Sequence, residues 1–109
     1  MSKLHYKLWY IKDMREGYKK YWDLCFKKVI DTVDKKDYNM VYKDTILYTN
    51  PSDMILLEEL FEKFNINHPD DFNNRSLSTC DVVEIQREDN NSHFYICCSI
   101  GWKEITFHE

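Results

Sequence analysis

Residues 4–11 read Leu-His-Tyr-Lys-Leu-Trp-Tyr-Ile, and their alternation restricts the fold more than any other feature of the chain. Leu4, Tyr6, Leu8 and Tyr10 take every second position, with His5, Lys7 and Trp9 between them and Ile11 extending the run. A period of two is that of a strand. The period then changes. Asp13 and Glu16 have the D-x-x-E spacing of a capping box. Tyr18, Tyr21, Trp22, Cys25, Phe26, Val29, Ile30 and Val33 follow at helical spacing. This predicts an amphipathic helix over about residues 15–34, whose other face carries Lys19, Lys20, Asp23, Lys27, Lys28 and Asp31.

Asp34 to Asn39 reads as a polar turn. Met40 to Tyr42 and Thr45 to Thr49 read as two short strands broken at Lys43–Asp44. Asn50 is placed to cap a second helix, with Pro51 at its first position. Leu56, Leu57, Leu60, Phe61 and Phe64 form its apolar face, and Glu58, Glu59, Glu62 and Lys63 its wet one. After a polar loop containing Pro69, three strands are predicted: around Val82 to Ile85, Phe94 to Cys98, and Trp102 to Phe107. The short connections between them favour an antiparallel meander. The expected fold is α+β in a single domain, residues 1–109. It has a sheet of about four or five antiparallel strands against two helices, about 15–34 and 51–64.

A chain of 109 residues has the length of one domain and can bury roughly two-thirds of its unfolded surface. Aromatic residues make up 16% of it, enough to serve both a core and a binding surface. No stretch approaches the roughly 18–20 apolar residues of a membrane span. The first twelve residues, broken by Lys3, Lys7 and Lys12, lack the apolar core of a secretion signal. A cytoplasmic location is therefore expected, with Cys25, Cys80, Cys97 and Cys98 as reduced thiols.

Charge is unevenly distributed. Residues 1–50 hold eleven Lys and Arg against seven Asp and Glu, whereas residues 51–109 hold four against twelve. The acidic half disfavours nucleic acid as a direct ligand, since phosphate binding needs clustered cations. It suits a basic protein surface, such as a nucleic-acid groove. Solubility alone also accounts for such a charge.

The chemistry of catalysis is sparsely represented. There is no G-x-S-x-G, and two glycines, Gly17 and Gly101, cannot build a phosphate-cradling loop. No catalytic residue is assigned, and no cofactor is expected. The one metal reading is a structural zinc through His93 and Cys97, four apart on a strand and so on one face, with Cys80 from the neighbouring strand. The absence of a C-x-x-C pair favours buried, apolar roles for these cysteines instead.

One segment has a more particular pattern. Phe61-Glu-Lys-Phe64-Asn65-Ile-Asn67-His68-Pro69, then Asp71-Phe72, Arg75-Ser76-Leu77-Ser78 and Asp81-Val82-Val83 resemble the signature of the YodL-like domain family. Tyr95, Ile100-Gly101-Trp102-Lys103 and Ile105 resemble its ending, with Cys98 where the family often has an acidic residue. The resemblance implies an α+β domain of low-GC Gram-positive bacteria and their plasmids, conjugative elements and phages, often encoded near antirestriction genes. The signature also has a physical reading. Ser76 and Ser78 can turn the backbone before Asp81, Arg75 can pair with Asp81 or Asp71, and His68 before Pro69 is held extended. His68, Arg75, Ser76, Ser78 and Asp81 thus form either a structural loop lock or a ligand site.

The function expected from these features is non-catalytic inhibition of a bacterial defence nuclease by protein contact, with a type II CRISPR effector as the sharpest candidate. Glu84, Glu88, Asp89 and Glu104 of the meander are the expected contact residues. The alternative is a regulatory or nucleic-acid accessory module of a mobile element, using Lys19, Lys20, Lys27 and Lys28.

Overall fold

The computed structural model describes residues 2–26, 32–48, 52–87 and 91–108. The alternating N-terminal segment is β1 (Ser2–Ile11). It lies inside a six-stranded sheet, flanked by β3 (Tyr38–Tyr48) and β4 (Val82–Gln86). Beyond β4 come β5 (Ser92–Cys97), β6 (Trp102–His108) and β2 (Thr32–Asp34), giving the order β2-β6-β5-β4-β1-β3. All pairings are antiparallel except β2 with β6. The fold is α+β, with a mixed sheet and more strands than the sequence predicts.

Alternation along β1 gives the sheet two differently covered faces. Leu4, Tyr6, Leu8 and Tyr10 point to the first face, where Leu56, Leu57 and Leu60 of α2 (Asp53–Lys63), with Phe64, complete a buried core. The loop after α2 closes that core with Phe72 and Leu77. Ile11, Val82, Ile96 and Ile105 point to the second face, against Tyr21 and Leu24. Those two come from α1 (Met14–Tyr21) and a 3-10 turn, Trp22–Phe26. The approach is close: a Cβ at Gly17 would stand 2.5 Å from Ile11 Cγ2.

Several local expectations need correction. Asp13 does cap the first helix, accepting the Glu16 amide at 3.1 Å, but the α-helix ends at Tyr21 rather than near residue 34. Val33, expected on that helix, lies in β2 opposite Phe107 and is fully buried. Its β-branched side chain suits a strand, and the Asp34 amide is fixed by donation to the Tyr21 hydroxyl. The polar turn after it contains a 3-10 segment, Lys35–Asp37. Lys43 and Asp44 do not break β3; they pair in register with Lys7 and Tyr6, because an edge strand leaves one side in water. The caps expected at Asn50 and Pro51 fall outside the described residues. Ser52 caps α2, accepting the Ile55 amide. Phe61, expected to be buried, is 37% exposed and lies edge-on to Trp102.

The thiol expectation is also overturned: Cys25 and Cys98 form a disulfide. A separation of 73 residues hides the pair in sequence; coverage of the second face by the 3-10 turn brings it together. Closing so long a loop restricts the unfolded chain by roughly 4 kcal/mol. Cys25→Ser, or reduction of the bridge, is expected to lower the urea midpoint accordingly. An unchanged midpoint in reductant would show that packing alone holds the turn on the sheet.

Candidate functional site

The loop between α2 and β4 has no regular structure, yet it is held by one buried carboxylate. Asp81 is fully buried. Its Oδ2 accepts from Arg75 Nη1 at 2.6 Å and its Oδ1 from Arg75 Nη2 at 2.8 Å. Two backbone amides complete the set: Ile11 at the end of β1 donates to Oδ1 at 3.1 Å, and Ser78 to Oδ2 at 2.9 Å. Burial pushes the Asp81 carboxyl up from its ordinary value, while the guanidinium and these amides pull against it. The carboxylate in turn raises the Arg75 guanidinium.

Neighbouring contacts extend this knot. The Asp81 carbonyl accepts the Cys97 amide, and the Cys97 carbonyl accepts the Cys80 amide, each at 2.8 Å. Arg75 lies over the Tyr10 ring at 4.2 Å, and the Tyr10 hydroxyl donates to the Arg75 carbonyl. Tyr18 Oη and Ser78 Oγ are 3.1 Å apart. The Ser76 carbonyl accepts from Arg75. His68 Nε2 donates to the Phe64 carbonyl at 2.7 Å and lies 3.4 Å from Ser76 Oγ. The five residues singled out in the loop are therefore brought together, by Asp81 rather than Asp71; Asp71 accepts the Tyr42 hydroxyl instead. Cys80 sits at φ 74°, a left-handed conformation unusual for a residue with a Cβ. Its carbonyl accepts the Tyr38 hydroxyl at 2.8 Å.

Of the meander carboxylates, the described ones, Glu84 and Glu104, lie on opposite faces of the sheet. Glu84 is buried, accepting from Trp9 Nε1 at 3.1 Å and Ser92 Oγ at 2.7 Å. It therefore cannot serve as the exposed contact expected of it. Glu88 and Asp89 lie outside the described residues. Glu104 is exposed, 3.3 Å from His93 Nδ1. His93 is thus engaged with a carboxylate. Burial pushes the Cys80 thiol up to about 11 and the Cys97 thiol up to about 12, so neither is a thiolate at neutral pH. Among the described residues no group of three His, Cys, Asp or Glu side chains is placed to hold a metal ion.

Other carboxylates of the second half are carried by α2. Glu58, Glu59 and Glu62 occupy the solvent side of α2, interleaved with exposed Met54 and Ile55 and followed by Ile66, which is 73% exposed. Asp53, at the start of α2, is tied to Arg87 and Tyr95. Burial raises its carboxyl, but those two donors outweigh this and hold it below its ordinary value. The lysines of α1 are compensated: Lys20 lies 3.0 Å from Asp34 and 2.8 Å from Asp37, and Lys19 lies 3.6 Å from Glu16. Lys27 and Lys28 lie outside the described residues.

The model of the YodL-like domain matches residues 5–107. The chain belongs to the YodL-like domain family. Comparison with curated proteins and with solved structures returns no match. In this YodL-like domain the loop part of the signature that runs from Phe61 to Val83 coincides with the segment gathered around the buried Asp81 carboxylate. Among the described residues no helix is long and apolar enough to cross a membrane.

Asp81→Asn keeps the side-chain volume but aims an amide N–H at existing donors. It is expected to destabilise the domain by about 3 kcal/mol, read as the change in unfolding free energy in urea. A loss under about 0.5 kcal/mol would show that the loop is held by Phe72 and Leu77 instead.

Proposed function

We propose that this YodL-like domain is a non-catalytic inhibitor of a bacterial defence nuclease, acting in the host cytoplasm by protein contact. The observation that carries the reading is the outer surface of α2. Ile55, Glu59, Glu62 and Ile66 fall at i, i+4, i+7 and i+11, one stripe along the helix and its exit. Ile55 is 55% exposed. Apolar side chains left in water and ringed by carboxylates suit a partner that offers an apolar pocket within a basic surround. The nucleic-acid groove of a restriction enzyme or CRISPR effector has that chemistry, and a type II single-protein effector is the sharpest candidate. The mobile-element setting implied by the family resemblance points the same way by association. Occupying the groove, or blocking a domain movement beside it, would stop cleavage without chemistry in the inhibitor.

This surface takes the place of the buried Glu84 as the contact. Glu104, exposed and 3.3 Å from His93 Nδ1, is on the same side of the sheet as α2 by the alternation along β6. The test is co-purification and cleavage with a panel of purified restriction enzymes and CRISPR effectors. A stable complex and abolished cleavage are expected with at least one. Glu59→Lys with Glu62→Lys is expected to slow association about tenfold at low salt while moving stability by less than about 0.5 kcal/mol. No complex and no inhibition across the panel would overturn the proposal.

A further inference from the structure

The second face of the sheet is covered only in part. Beyond Tyr21 and Leu24, alternation leaves Lys3, His5, Lys7 and Trp9 of β1 on that face, with Lys43 and Thr45 of β3 and Phe94 of β5. Two hollows open there and share Lys7. One, about 370 Å³, is lined by Lys7, Trp9, Lys35, Ser92, Phe94 and Phe107, with Glu84 at its base. The other, about 420 Å³, is lined by Lys7, Lys43, His5, Thr45, Tyr6 and Gln86, with the Asp44 carboxylate also on its wall.

Two features of this face exceed what a purely structural surface needs. Lys7 and Lys43 are direct cross-strand partners, and like charges so placed destabilise a sheet. Among the described residues neither has a carboxylate within ion-pair distance. A need to blunt the sheet edge accounts for a lysine on β3, but Lys7 is on an inner strand. The second feature is a partly exposed aromatic group whose geometry is fixed. Glu84, the one buried carboxylate here, holds the Trp9 indole N–H. The Trp9 ring stands edge-on to Phe107 at 5.2 Å, Phe107 stacks on Phe94 at 4.9 Å, and Lys35 Nζ lies over the Trp9 ring at 5.1 Å, so a base stacking on that side would displace it.

We propose that this half of the face binds single-stranded nucleic acid, with phosphates on Lys7 and Lys43 and a base against Trp9. Cations beside a preoriented ring on an open sheet are what such a strand needs. The backbone takes the charge and every base has a face to stack. Duplex DNA hides those faces. The carboxylates of α2 do not oppose this, because they lie on the other side of the sheet, and Glu84 is already engaged by Trp9 and Ser92. The site is separate from the α2 stripe, so either can fail without the other.

The test is fluorescence anisotropy with labelled oligo-dT and oligo-rU of about 12 nucleotides, against a duplex and polyglutamate, over a range of salt. Binding of at least one single strand is expected, weakening steeply with salt. Lys7→Gln with Lys43→Gln is expected to lower the salt slope by roughly 1.4, about 0.7 for each phosphate no longer neutralised, with the melting temperature unchanged or raised. Trp9→Leu is expected to weaken binding about tenfold in protein whose fold is checked by circular dichroism. Preference between the two strands assigns DNA or RNA as the source. No binding at low salt, equal binding of duplex or polyglutamate, or binding indifferent to both the lysine pair and Trp9 would overturn the proposal.

Discussion

The Asp81 carboxylate is the constraint on which the rest of the structure depends. It is fully buried and accepts four hydrogen bonds, two from Arg75 and one each from the amides of Ile11 and Ser78. Burial of an unpaired carboxylate is prohibitive, and burial of one with all its acceptor sites filled is tolerable only in a single geometry. That geometry ties the end of β1 to the long loop, and its own carbonyl ties both to β5 through Cys97. The left-handed backbone at Cys80 is part of the same junction. Local strain there is compensated by the bonds around it.

The two surfaces follow from how the chain leaves that junction. On the first face, α2 and the loop cover the sheet and carry their carboxylates outward. On the second face, α1 and the 3-10 turn reach only one end, fixed by the Cys25–Cys98 bridge. Lys7, Lys43 and Trp9 remain at the other. Charge is thus divided across the sheet rather than simply along the chain. The net charge of −4 does not reveal that Lys7 and Lys43 stand side by side on one face while Glu58, Glu59 and Glu62 line α2 on the other.

Local patterns foretold what local forces decide. The strand at Leu4 to Ile11, the cap at Asp13 and the buried leucines of α2 follow from residues close together in sequence, and so does a partner for Arg75, with the choice of Asp81 over Asp71 made by burial. The failures depend on distant partners. Val33 reads as helical until Phe107 is beside it. Cys25 reads as a thiol until Cys98 is. Glu84 reads as a solvated carboxylate until Trp9 and Ser92 donate to it from strands on either side. The like-charged pair Lys7 and Lys43 is invisible without the register of β1 against β3. Exposed Ile55 of α2 and Ile66 beyond its end carry no sequence signal beyond their place outside the apolar stripe.

Native-state hydrogen exchange at the Ser78 amide tests the central role of Asp81 most directly. Ser78 lies in a loop without regular structure, where amides ordinarily exchange through openings that cost close to nothing. Bonded to the buried carboxylate, its amide should instead exchange only on global unfolding, with protection equal to that of Ile11 and Cys97. Rapid exchange at Ser78 while those two strand amides stay protected would contradict the account.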